Sequence, residues 1–89
     1  MNSQRLQTQL LLHTHAADKL RSLGDPHSII EFLHQLQNNP TETLPSYSEP
    51  DAQGREILVK TLLRYAILYF HDPYANLVKI LAINNLETV

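Results

Sequence analysis

The stretch Ile57–Phe70 narrows the possible folds of this chain more than any other. Gln53, Glu56, Lys60 and Arg64 recur at spacings of three and four, and most residues between Ile57 and Phe70 are apolar. Read with the period of a helix, the polar residues make one narrow stripe and the apolar ones cover the remaining circumference. A helix of that kind must be central in a core or must meet another chain. The pattern predicts a helix over residues 50–70, with Ser48 as a cap and acidic residues in its first turn.

The rest of the chain reads in the same period. Leu6, Leu10, His13, Ala17 and Leu20 form the seam of an amphipathic helix over residues 3–23, which Gly24 ends. Asp25-Pro26 then opens a second helix over 26–37, since a carboxylate caps free backbone N–H groups and proline suits the first helical position. Ile29, Ile30, Phe32, Leu33 and Leu36 give that helix its apolar face, and Asn38, Asn39 and Pro40 stop it. Asp72-Pro73 repeats the junction and predicts a fourth helix over 73–84, with Leu77, Val78, Ile80, Leu81 and Ile83 inward and Asn84-Asn85 at its close. Between the pairs, residues 38–50 are rich in proline, serine, threonine and acids and read as a flexible link. The expected fold is all-α: a single helical domain of residues 1–89, a four-helix bundle made of two αα hairpins joined by the proline-rich linker. The Asp-Pro and Asn-Asn pairs recur about 46 residues apart, which fits convergent helix punctuation or a faint duplication.

Composition excludes several classes. There is no cysteine, so disulfide scaffolds, thiolate metal sites and cysteine nucleophiles are all ruled out. Residues 1–12 lack the apolar stretch and cleavage site of a signal peptide. The longest apolar stretch, about 14 residues and interrupted by Lys60 and Arg64, falls short of the roughly 20 that a membrane span needs. A cytoplasmic protein without a membrane segment is expected. The net charge is −2 and the seven basic residues are scattered, which disfavours a nucleic-acid partner.

Reactive constellations are missing too. On one helix His13 and His15 point about 200° apart, and His27 and His34 are two turns apart, so no metal site is expected. His15 is followed by Asp18 and Lys19 where a histidine phosphotransfer bundle would place lysine and a small residue, and an aspartate there repels phosphate. No glycine-rich phosphate loop or nucleophile signature occurs. The sequence therefore predicts neither an enzyme nor a cofactor.

The most unusual local composition is residues 64–74, where Arg64, Tyr65, Tyr69, Phe70, His71 and Tyr74 gather. Tyrosine and arginine are favoured at protein interfaces because each offers a large contact area with a polar tip. These six are the candidate binding residues. The function they suggest is a non-catalytic protein-interaction or regulatory adaptor module, self-associating as a homodimer through the third helix. A small helical nucleic-acid-binding regulator is the alternative, with a phosphotransfer bundle behind it.

Overall fold

In the computed structural model, which describes residues 8–86, the stretch that reads as the third helix is two β-strands. The elements are β1 (Gln9–Leu12), α1 (Thr14–Ser22), α2 (His27–Asn38), β2 (Tyr47–Pro50), β3 (Glu56–Leu62), β4 (Tyr65–Asp72) and β5 (Leu77–Asn85). The strands form one sheet in the order β1-β5-β4-β3-β2, with β1 parallel to β5 and every other pair antiparallel. The two helices lie on one face. The expected all-α bundle is therefore corrected to a mixed α/β fold.

The physical reason lies in side-chain type and in turn chemistry. Ile57, Val59, Thr61, Tyr65, Ile67, Tyr69 and Phe70 are β-branched or aromatic, the residues that suit a pleated surface best. A continuous apolar run also fits strands buried on both faces, and periodicity alone does not separate that case from a buried helix. The run folds back on itself at Leu63 and Arg64, where Leu63 takes φ 57°. Glycine or asparagine normally fills such a left-handed position, and leucine hides the turn.

The fourth expected helix, 73–84, is a turn followed by β5. Asp72 does act as a cap, but its carboxylate Oδ1 accepts from the N–H groups of Tyr74 and Ala75 at 3.0 and 3.1 Å and closes a hairpin turn. Asn76 completes that turn at φ 53°. At the first Asp-Pro pair a helix does begin, and the expected second helix stands as α2, but its N-cap is Pro26 with no side-chain cap, and Asp25 only accepts from the His27 N–H at 3.4 Å. With one Asp-Pro pair opening a helix and the other a turn, the two halves do not fold alike. Of the first expected helix, 3–23, residues 3–7 lie outside the described residues, Gln9–Leu12 form β1, and only Thr14–Ser22 are helical. Within the link, Tyr47–Pro50 pair with β3 as β2.

The core lies between the helices and the sheet. From α2, Ile29, Phe32, Leu33 and Leu36 point inward at helical spacing. Ile67 and Tyr69 of β4 and Val78, Ile80 and Ile83 of β5 meet them. Burying each large aliphatic side chain contributes about 1.5–3 kcal/mol. Ala16, fully buried, lets α1 approach this layer closely. A bulge decides how β5 contributes: Tyr69 pairs with Ile80 and Leu68 with Ala82, leaving Leu81 as the extra residue. The insertion changes the parity of the strand, so Ile83 faces the helices together with Val78 and Ile80.

Leu63 tests the hairpin. It is 72% exposed, so little packing holds it, while a left-handed conformation costs an L-residue about 1–2 kcal/mol. Leu63→Gly is expected to raise the thermal midpoint, with a net gain of about 1 kcal/mol or less after glycine's own entropy cost. A lowered midpoint in thermal unfolding would contradict this turn.

Candidate functional site

Among the described residues the helices cover one side of the sheet and no element covers the other, and register identifies the side chains there. Tyr47 of β2 lies opposite Val59, Val59 opposite Leu68, and Leu68 opposite Ala82, giving one apolar row across four strands. A second row is mixed: Glu49 lies opposite Ile57, and Phe70 lies opposite Lys79, which lies opposite Leu11. Val59 and Ile57 are buried within these rows and stand apart from the helix-side core cluster. At the margins the face opens, with Tyr47 51% and Leu11 50% exposed.

Arg55 sets the electrostatics at the β3 end. Its guanidinium lies 5.7 Å from the centre of the Phe70 ring, close enough for a cation–π contact. Its Nε also donates to Asp51 Oδ2 at 2.8 Å. Asp51 Oδ1 accepts from the backbone N–H groups of Gln53 and Arg55, and Gly54, at φ 82°, turns the chain between β2 and β3. Desolvation opposes the charge on Asp51, but the backbone N–H groups of Arg55 and Gln53 and the Arg55 side chain outweigh it and hold the carboxyl below its usual value.

The six expected binding residues do not form one corner. Tyr69 is a core residue: it is 1% exposed and meets Phe32 edge to face at 5.9 Å. Tyr65 packs against the same cluster, and His71, opposite Val78, is half-buried on that side. Phe70 alone joins the helix-free face. Arg64 and Tyr74 are exposed in the turns at opposite ends of β4, whose eight residues span about 27 Å. Alternation along a strand separates what a helix would have brought together.

Sequence reading missed Tyr47, Leu11, Arg55 and Lys79 as members of one face. Three consecutive leucines conceal the split at β1, where Leu10 and Leu12 pack on the core and Leu11 does not. The histidine expectation also changes in detail. His13 is the extended cap of α1 and not a helical residue, so its ring stacks on that of His15 at 5.5 Å. Among the described residues, no group of three or more histidine or carboxylate side chains is placed to hold a metal ion. No helix among them is long and apolar enough to cross a membrane.

No family model and no curated protein matches the sequence. A solved structure does resemble the fold: a chain of the archaeal RelE–RelB complex from Pyrococcus horikoshii OT3. The likeness has a TM-score of 0.76 and covers 94% of this chain and 100% of that one, at 18% sequence identity. At that identity it establishes the fold.

The Tyr69 hydroxyl is buried and meets no hydrogen-bond partner among the described protein groups. Burial pushes its phenol up to about 12. Folding therefore favours the neutral form, and the associated stability is intact below pH ~10, where unfolded tyrosine titrates, and is lost as pH rises towards 12. Tyr69→Phe is expected to leave stability at pH 7 unchanged or raised by about 1 kcal/mol, and to lessen the alkaline loss. Urea unfolding at neutral pH and across pH 9–12 reads both. A destabilisation of several kcal/mol at neutral pH would mean that the hydroxyl has a partner.

Proposed function

We propose that this chain is a non-catalytic regulatory module that works in complex with another protein and receives it on the helix-free face of the sheet. The observation that carries this reading is the composition of that face. Tyr47, Leu11, Leu68 and Phe70 supply aromatic and aliphatic area, Arg55 lies over Phe70, and Glu49 and Lys79 bring charge to the mixed row. Central aromatic and arginine side chains within a polar surround are the usual anchors of protein interfaces. The structural neighbour, itself part of a two-protein complex, is consistent with such a role.

Catalysis finds less support on this face. General acid–base work needs a positioned proton donor or acceptor with a matched pKa. Arg55 is committed to Asp51, and Lys79 and Glu49 belong to strands that are not neighbours. Dimerisation through a third helix has no basis in this fold, because residues 50–70 are not helical.

Capture of partners from native cells by the tagged full chain, compared with a Leu11→Asp, Tyr47→Asp double variant, tests the proposal. Both positions are half-exposed, so the variant is expected to keep the wild-type circular dichroism spectrum. The partner should be recovered at least about 10-fold less well, the equivalent of 1.4 kcal/mol. Equal recovery by a folded variant would exclude this face. Recovery of nucleic acid that falls steeply with salt would replace the reading with the alternative class.

A further inference from the structure

The parallel strand β1 covers only part of β5. Their pairing runs from Gln9 opposite Leu77 to Leu12 opposite Ile80, the His13 N–H donates to the Ile80 carbonyl, and the chain then leaves as α1. Beyond Ile80, residues 81–85 of β5 have no strand on that side among the described residues. The Leu86 N–H donates to the Arg64 carbonyl on the opposite, β4 side at 2.7 Å. Alternation along the strand therefore directs the backbone N–H and C=O of Ile83 and Asn85 to the free edge.

Open space lies along this edge. A cleft of about 520 Å³ runs between it and α1, lined by His15, Asp18, Lys19 and Ser22 and by residues 81–85. A second cleft continues from Lys19 and Asn85 to Arg64 and Tyr65. The free segment measures about 17 Å at about 3.4 Å per residue, enough for a short strand. The sheet's other edge, β2, is guarded differently: Pro45 precedes it, Pro50 is its last residue and Glu49 sits within it, the kind of feature that blocks strand pairing. Residues 81–85 contain neither proline nor charge.

The charge of the groove selects among partners. Asp18 is paired with Arg21, whereas Lys19 and Arg64 make no ion pair among the described residues. Among the described residues, the groove thus presents two cations outside any ion pair along a backbone edge that no strand covers. We propose that residues 81–85 of β5 form a strand-addition site for an extended, acidic segment of the partner protein, seated between the strand edge and α1. Backbone hydrogen bonds to Ile83 and Asn85 give the segment its register, and Lys19 and Arg64 favour carboxylates. The proposal rests on the protein-binding reading above and adds a second, separate contact.

The test uses the full chain and a capped nine-residue peptide of alternating valine and glutamate, followed by amide chemical shifts. Saturable shifts are expected at Ile83, Asn85 and Lys19, weakening with added salt. Asn85→Pro removes one outward N–H without touching the β4 ladder, and it should weaken binding about 10-fold. Lys19→Glu with Arg64→Glu should abolish it, and a peptide N-methylated on alternate residues should not bind. No saturable binding at about 1 mM peptide, the weak limit for recognition of such a segment, would overturn the proposal. So would binding that survives Asn85→Pro and is lost in Tyr47→Asp. That outcome would move the segment to the helix-free face and leave the protein-binding reading in place.

Discussion

Strand β4 is enclosed on three sides, and the rest of the structure depends on that enclosure. It is hydrogen-bonded to β3 along one edge and to β5 along the other, and Ile67 and Tyr69 pack beneath α2. An interior strand satisfies its backbone polar groups on both edges, so it can carry apolar residues on both faces without a solvation penalty. Residues 65–70 meet that requirement with Tyr, Ala, Ile, Leu, Tyr and Phe. The same greasiness that suggests a helix surrounded by neighbours is met here by strands on two sides and a helix on the third.

Three aspartates then set where the chain changes direction. Asp25 accepts from the His27 N–H just ahead of α2, while Asp51 closes the β2–β3 turn and Asp72 closes the β4–β5 turn, each of these two by accepting from two backbone N–H groups two to four residues ahead. The bulge at Leu81 is a fourth device, and it keeps Ile83 in the core. Together they place Arg55 over Phe70 on the helix-free face and, among the described residues, leave the last residues of β5 without a strand on the α1 side. The proposed contact surfaces are thus consequences of turn positions.

What the sequence made legible follows from which signals are specific. The spacing 29, 32, 33, 36 occurs in a segment with punctuation at both ends, and it gave α2 within a residue or two of its observed limits. The Asp-Pro signal marked two changes of chain direction, but the carboxylate that accepts from backbone N–H groups serves a β-turn at Asp72, and α2 begins at an N-cap, Pro26, without a side-chain bond. The hairpin between β3 and β4 carried no turn signal because Leu63 occupies a position where glycine or asparagine is usual. In β1, three consecutive leucines suited either period. The six binding candidates are spread apart for the same reason: Tyr65, Tyr69 and His71 share a helix-side strand face, Phe70 points the other way, and Arg64 and Tyr74 sit in different turns. A preference for β-branched and aromatic residues over Ile57–Phe70 was the available clue to strands.

Amide hydrogen exchange on the free chain examines the enclosure of β4 most directly. The amides of Ile67 and Tyr69 should exchange only through global unfolding and be among the slowest in the molecule, with cross-strand Overhauser contacts from Lys60 to Ile67. Fast exchange in β4, or a run of i to i+4 contacts through residues 56–70, would show that the segment is not a central strand and would remove the basis for both proposed surfaces.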